Sequence, residues 1–310
     1  MVIWWVTSRK NDVSALGTTE GIKGVFMIIG IIGAENSHAA VIAENLNIRK
    51  KIKGARVVYI WGETKEVAEK TAIKGNIPHI VSKSSEIVDK IDAVIIDHRN
   101  GKYHLNAGLP FIRKGLPVFI DKPFCCNVEQ GRKFLSKAQK WKAVVTSFGV
   151  LPLQKSFSNL LKETKKVGKI HSGSIYGPCD IKSKYGGIFF YGIHQVEMAL
   201  SAFGYDVYKV FATQNKKNAT AQMFYNDGKT ITLNLIESGC NSFSITAVGN
   251  KGIVHKNISF DKEMYLSGIR KFTRMFETKV EPLTHKQLLK PVEILEAIQK
   301  SIQTGQYQKI

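Results

Sequence analysis

Lys122 stands in Val118-Phe119-Ile120-Asp121-Lys122-Pro123, an apolar run that ends on a carboxylate, an ammonium and a proline in succession. An ammonium at such an edge can deliver a proton or polarise an oxygen. Pro123 lacks an amide donor and has a fixed φ, so the turn that carries the lysine is stiff. The competing reading is a surface lysine at a strand end. Further on, Ile193-His194-Gln195-Val196-Glu197 sets His194 and Glu197 one helical turn apart, on one face. An imidazole beside a hydroxyl is a natural proton carrier. A lone histidine in an apolar helix is otherwise a core residue satisfied by one hydrogen bond.

The surrounding sequence says what would position these groups. Val25 to Ile32 is an apolar run followed by Gly33 and a helix-like segment from Ser37 to Leu46. Strands are then predicted at Val57–Trp61, His79–Val81, Ala93–Ile96, Val118–Ile120 and Ala143–Phe148, alternating with helices at Lys65–Lys74, Ser84–Val88, Tyr103–Lys114 and Val128–Lys140. Repeated β-α-β units with apolar strands predict an α/β domain over 27–148, a doubly wound parallel sheet with helices on both faces. Ligands of such sheets collect beyond the carboxyl ends of the strands, where Lys122 would stand.

The first turn of such a sheet is where a dinucleotide pyrophosphate would meet the amides of a helix N-terminus. Here the sequence is Gly30-Ile31-Ile32-Gly33-Ala34-Glu35-Asn36-Ser37-His38. Gly33 fits the first glycine of G-x-G-x-x-G, but Glu35 and His38 stand where the second and third belong. Glu35 brings a carboxylate towards a phosphate position unless it points away, and Asn36 and Ser37 are candidates to cap the helix. Glu63, after Trp61-Gly62, is placed to meet ribose hydroxyls, which would favour NAD over NADP by repelling a 2′-phosphate. Alternatively it only opens the next helix.

From Lys169 the pattern changes to alternating strands at Ile170–Tyr176, Val207–Ala212, Ala219–Tyr225, Thr230–Ile236 and Phe243–Val248. Asn226-Asp227-Gly228 is a hairpin signal. These runs predict a second, α+β domain over 149–310 with an open antiparallel sheet. Its helix carrying His194 runs to Phe203, and Leu288, Leu289, Val292, Leu295, Ile298 and Ile302 mark an amphipathic C-terminal helix over Lys286–Thr304.

Taken in order, the Gly30…Gly33 turn, Asn100…His104, Asp121-Lys122-Pro123 and Gly192-Ile193-His194…Glu197 resemble the Gfo/Idh/MocA oxidoreductases, the family of glucose-fructose oxidoreductase and inositol dehydrogenase, from about Met27 to the C-terminus. The resemblance implies a Rossmann domain binding NAD or NADP and a sheet domain that supplies a sugar site and an interface for a homodimer or tetramer. It also implies that the C-terminal helix leans back on the Rossmann domain. By the same resemblance His194 takes the proton of a sugar or cyclitol hydroxyl while hydride leaves for nicotinamide, and Lys122 orients that hydroxyl. Glu197 would bind substrate or orient His194, with Tyr191 and Tyr176 as further substrate-side candidates. Asn100, His104 and Asp121 would join Gly30, Gly33, Asn36, Ser37 and Glu63 around the cofactor. One departure stands out: many members carry an aspartate four residues before the histidine, where this chain has Phe190. An active variant is favoured because Lys122 and His194 are both present, over an enzyme of altered substrate or a cofactor- or sugar-binding protein without turnover.

With 45 Lys+Arg against 25 Asp+Glu, the formal net charge is +20. This raises a nucleic-acid or anionic-surface binder as a separate class. The densest clusters, Arg49-Lys50-Lys51-Ile52-Lys53 and Lys162-Glu163-Thr164-Lys165-Lys166, lack interleaved aromatics and read as solvated surface. Cys125, Cys126, Cys179 and Cys240 lack zinc-ligand spacing, so no metal site is indicated and reduced, cytoplasmic thiols are expected. No run reaches transmembrane length. Residues 1–26 do not fit the fold, and Met27 is read as the true start, with an arm that packs on a partner subunit as the alternative.

Overall fold

The computed structural model describes residues 26–310; the expectations for the N-terminal extension lie outside the described residues. β1 (Met27–Ile32), α1 (Ser37–Ala43), β2 (Ala55–Trp61), α2 (Lys65–Gly75), β3 (His79–Ile80), β4 (Ala93–Ile96), α3 (His104–Arg113), β5 (Val118–Ile120), α4 (Val128–Lys140) and β6 (Val145–Ser147) follow one another. The strands form a parallel six-stranded sheet in the order β3-β2-β1-β4-β5-β6. Chain direction across the sheet reverses between β1 and β4, which leaves a crevice beyond their carboxyl ends. Local chemistry sets the helix limits. Thr64 accepts from the Val67 amide and Asn127 from the Gln130 amide, capping α2 and α4, and Asn76 ends α2 in a left-handed conformation.

The second layer comprises α5 (Lys155–Thr164), β7 (Ile170–Pro178), α6 (Ile188–Phe203), β8 (Val207–Asn215), β9 (Asn218–Tyr225), β10 (Thr230–Ile236), β11 (Phe243–Gly249), β12 (Gly252–Ile258), α7 (Leu266–Thr278), α8 (His285–Thr304) and β13 (Gln308–Lys309). Its sheet runs β12-β11-β7-β10-β9-β8-β13. The expected antiparallel sheet is mixed, because β7 and β10 run parallel with Ile175 beside Leu233. Between them the chain crosses through α6 to β8, and two antiparallel reversals, β8 to β9 and β9 to β10, return it in the direction of β7. Buried residues alternate with half-buried ones along β10, so one face packs on the core and the other stays open.

α5, α7 and β12 are not anticipated by the sequence reading. α7 changes the domain description most. Its buried Ile269, Phe272, Met275 and Phe276 join Ile29, Ile31, Ile95 and Phe119 in one core, and Phe272 stacks on Phe119 with centroids 4.5 Å apart. α8 opens on a Thr284/Gln287 capping box and packs against α6, α4 and β8. Glu296 of α8 accepts from the Val128 amide at 2.8 Å, and Glu293 pairs with Arg132 at 2.8 Å. Both helices therefore fasten the two sheets together.

Candidate active site

β1, β4 and β5 stop at one edge in register, because backbone bonds continue past the strand ends. Asp97 donates to the Ile32 carbonyl at 2.7 Å and Asp121 to the Ile96 carbonyl at 2.8 Å. Two carboxylates thus come side by side at the crevice. Asn36, which would be the N-cap of α1, makes no side-chain cap; its amide turns inward and donates to Asp97 Oδ1 at 2.9 Å and Asp121 Oδ2 at 3.0 Å. His38 Nδ1 lies 3.1 Å from Asp121 Oδ1. Burial and the charge of Asp121 push the Asp97 carboxyl well above the ordinary carboxylate range. Burial acts upward on Asp121 too, but the charge and hydrogen bond of His38, with the charge of Lys122, outweigh it and hold that carboxyl at about 2. Two carboxylates this close cannot both ionise freely, and Asp121 is the one that does.

Lys122 follows on the same turn, 8% exposed. Among the described residues its ammonium has no hydrogen bond or ion pair; it faces the rings of Phe190 at 5.2 Å and Tyr191 at 5.7 Å. Phe190 thus holds the cation with its π face where a carboxylate was expected. Lys122, His38, Asp121, Tyr191 and His194 border one cavity of about 170 Å³, walled by Phe119, Phe148 and Tyr265. His194 reaches it from α6. Burial, then the positive neighbours Lys122 and His38, depress its basicity well below the ordinary imidazole value, and its Nδ1 is buried without a partner.

The other expected residues divide. Glu197 shares the helix face of His194 but accepts from the Gly149 amide at 2.9 and 3.1 Å and borders a separate cavity of about 70 Å³ with Lys271 and Tyr205. Burial raises its carboxyl to about 7. Tyr176 does not border the main cavity; its hydroxyl donates to the Cys240 carbonyl at 3.1 Å. Asn100 caps the turn before α3, and its amide donates to the Lys184 carbonyl at 3.2 Å. His104 is fully buried, with its ring nitrogens 2.8 Å from the carbonyls of Pro123 and His98, so it braces the lysine turn rather than facing a ligand.

Around the first turn, Gly33 has φ +108°, and a Cβ there would lie 2.6 Å from the backbone of Asp97 and His98. Gly30 lies inside β1, where a Cβ would meet Ile87, so its role is packing rather than phosphate binding. Ser37 is exposed at the start of α1. Glu35 points away from the turn and accepts from the Tyr185 hydroxyl at 3.2 Å. Glu63 Oε2 accepts from the amides of Ala34 and Glu35, both at 2.9 Å. The two turn amides are thus spent on Glu63 here, so a pyrophosphate at this helix N-terminus would have to displace that carboxylate, which would then be released towards a ribose diol.

His38 and Asp97 were not singled out as site residues by sequence reasoning. The available signal was that each strand run ends on a polar residue, Asp97 after β4 as Asp121 after β5, and that His38 takes a glycine position. His38, Asp97 and Asp121 bring donor atoms within 4.8 Å of one another. The Asn36 amide already donates into both carboxylates and Lys122 adds a positive charge beside them, so the cluster is neutralised from within.

Residues 27–148 match the family described as an oxidoreductase family with an NAD-binding Rossmann fold, GFO_IDH_MocA. No curated protein matches the sequence. Among solved structures, a putative myo-inositol dehydrogenase from Sinorhizobium meliloti is 18% identical with a TM-score of 0.78, covering 92% of this chain and 99% of its own. GenD2 from gentamicin A biosynthesis, in complex with NAD, is 14% identical with a TM-score of 0.82, covering 96% and 99%. A scyllo-inositol dehydrogenase from Lactobacillus casei, with bound NAD(H) and scyllo-inositol, is 17% identical with a TM-score of 0.76, covering 92% and 99%. At these identities the likeness is one of fold, and it extends over both sheets.

Proposed function

Because residues 27–148 belong to the Gfo/Idh/MocA oxidoreductase family with its NAD-binding Rossmann fold, we propose that the chain transfers a hydride between a nicotinamide cofactor and a hydroxyl-bearing carbon of a sugar, cyclitol or related polyol. The observation that carries this reading is the Lys122 ammonium, free of any ion pair among the described residues, beside two imidazoles in one cavity at the carboxyl edge of the parallel sheet. A cation so placed stabilises the alkoxide that develops as the C–H bond is broken. The cavity walls Phe119, Phe148 and Tyr265 exclude water from that carbon. Tyr191 offers a hydroxyl beside Lys122. Inositol dehydrogenases of the same fold support a cyclitol as the first substrate class to try.

Nicotinamide, when bound, supplies the hydride acceptor; the amides of Ala34 and Glu35 and the carboxylate of Glu63 are the groups assigned to hold the dinucleotide. Glu63 favours NAD over NADP in this reading, since a 2′-phosphate would meet its charge. Glu63 also gives the non-catalytic alternative its one specific support, because its carboxylate already occupies the turn amides. Separate titrations with NADH and NADPH, followed by tryptophan quenching and energy transfer to nicotinamide, decide between them. NADH binding tighter than NADPH, with reduction of NAD+ by at least one of myo-inositol, scyllo-inositol or a sugar panel, is the expected result. No binding of either nucleotide would leave a sugar-binding protein.

The resemblance further supports a homo-oligomer formed through the open face of the second sheet. Light scattering on the purified chain measures its mass directly.

A further inference from the structure

We propose that His38, held by Asp121, is the imidazole that accepts the hydroxyl proton, and that His194 positions the hydroxyl while staying neutral. This rests on the oxidoreductase reading above and assigns a catalytic residue that neither the family pattern nor the sequence reading pointed to. Hydrogen counting fixes the tautomer. Asn36 has two amide hydrogens, and it spends them on Asp97 Oδ1 and Asp121 Oδ2. Its 3.3 Å contact with His38 Nδ1 therefore cannot be a third donation. Asp121, the ionised carboxylate of the pair, has no hydrogen to give, so the 3.1 Å contact between His38 Nδ1 and Asp121 Oδ1 requires the proton on Nδ1. In the uncharged ring, the form that can accept a proton, Nε2 then carries the lone pair. Among the described residues Nε2 has no partner, and the ring borders the cavity shared with Lys122 and His194.

The charges decide between the two imidazoles. A proton arriving at His38 Nε2 creates an imidazolium whose other nitrogen already touches a carboxylate. A proton arriving at His194 creates a cation that is 9% exposed, faces Lys122 and His38, and has an unpartnered buried nitrogen. The first arrangement is a His–Asp pair of the kind that holds one tautomer and stabilises the imidazolium. The second has no counter-charge in contact. The Tyr265 ring, 5.0 Å from that of His38 and tilted by 54°, limits where the imidazole can swing. The groups facing His38 are Asn36 from its own loop, Asp97 beyond β4, Asp121 and Lys122 beyond β5, Tyr265 before α7 and His194 on α6. Bond accounting is that of an alcohol oxidation. The O–H proton goes to Nε2, the C–H electron pair leaves with its hydrogen as hydride to the nicotinamide oxidant, and the carbon–oxygen double bond forms. His38 thus makes chemical use of the position where the glycine pattern of the turn is broken.

The test reads the tautomer first, by nitrogen-correlated NMR of the histidine-labelled protein in alkaline buffer, with the His38 signals assigned by their loss in His38→Gln. The Nδ1–H form is expected at His38; an Nε2–H form overturns the proposal, whatever the substrate proves to be. Kinetics with NAD+ and myo-inositol or scyllo-inositol follow. His38→Gln should lower kcat by about 10²- to 10⁴-fold, with NADH affinity unchanged. Asp121→Asn should lower kcat in the same direction and shift the His38 tautomer. His194→Gln should act mainly on KM. A larger kcat loss in His194→Gln than in His38→Gln sinks the assignment. A wild type that turns over none of the panel counts against the oxidoreductase reading, while the tautomer still decides the role of His38.

Discussion

At the scale of single residues, the site is a problem of where charge can reside. Lys122 carries its charge against the aromatic rings of Phe190 and Tyr191, with no anion in hydrogen-bond contact among the described residues, so an alkoxide that forms beside it during reaction meets an unpaired ammonium. Lys122→Met should therefore lower kcat by about 10²- to 10³-fold, the size seen when one preorganised oxyanion donor is removed, with little change in NADH affinity. Steady-state rates beside a fluorescence titration check this, and retained turnover would remove Lys122 from the chemistry. Glu197 poses the opposite case, a carboxyl raised by burial to about 7 from 4.5 against the pull of the Gly149 amide and the charges of Lys122 and Lys271. A folded-state value above the unfolded one means that the protonated form favours folding. Its stabilisation is complete below about 4.5 and is lost as pH rises through about 7. Stability of the wild type relative to Glu197→Gln should then fall across that window by on the order of 3 kcal/mol. Urea unfolding of both proteins at a series of pH values measures the difference, and a flat difference would show that Glu197 is solvated.

At the scale of elements, patterns that depend on near neighbours were readable and those that depend on distant ones were not. β4, β5, α4, α6 and the turn at Gly33 follow from apolar period, flanking glycine and capping residues, all local. The parallel pairing of β7 with β10 was not visible, because a strand's own sequence does not carry the direction of its partner. α7 escaped for a related reason: its apolar face, Ile269, Phe272 and Phe276, is amphipathic like any surface helix, and its target, Phe119 of β5, lies far away in sequence. In the site, Lys122 and His194 were legible from type and context. The pairing of His38 with Asp121 was not, since it exists only because strand register sets Asp97 beside Asp121 and the start of α1 brings Asn36 and His38 to them. Phe272 tests the element directly. It is 2% exposed and stacked on Phe119, so Phe272→Ala should cost about 3–5 kcal/mol and loosen the cavity wall; a loss below about 1 kcal/mol would mean that α7 is not part of the core. The end of β2 gives a second test. Glu63→Ser frees the Ala34 and Glu35 amides and removes a negative charge, so NADPH affinity should rise at least tenfold relative to NADH in paired titrations. An unchanged ratio would assign Glu63 to holding the turn after Gly33 alone.

At the scale of the whole molecule, charge and connectivity point in different directions. The net charge of +20 favours contact with anions, yet Arg49 is paired with Glu44 at 2.7 Å and Lys51 with Glu263 at 2.7 Å, which breaks up the densest basic cluster. Among the described residues no helix is long and apolar enough to cross a membrane. Connectivity matters more for behaviour. α7 covers the Ile29, Ile95 and Phe119 face of the parallel sheet, and α8 joins α4 to α6. The chain therefore crosses between the two sheets more than once, and residues 27–148 alone would expose Phe119, Phe148 and their neighbours as a bare apolar face. Heating the full chain should give one transition, with tryptophan fluorescence and far-ultraviolet circular dichroism coinciding, as expected of a single cooperative unit. NADH at a hundred times its dissociation constant should stabilise that unit by about 2.7 kcal/mol and move both signals together. A fragment ending at Phe148 should bind the dye anilinonaphthalene sulfonate and lack a cooperative transition. Two separated transitions in the full chain, with NADH shifting only the first, would instead make the parallel sheet an independent domain and leave α7 as a surface passenger.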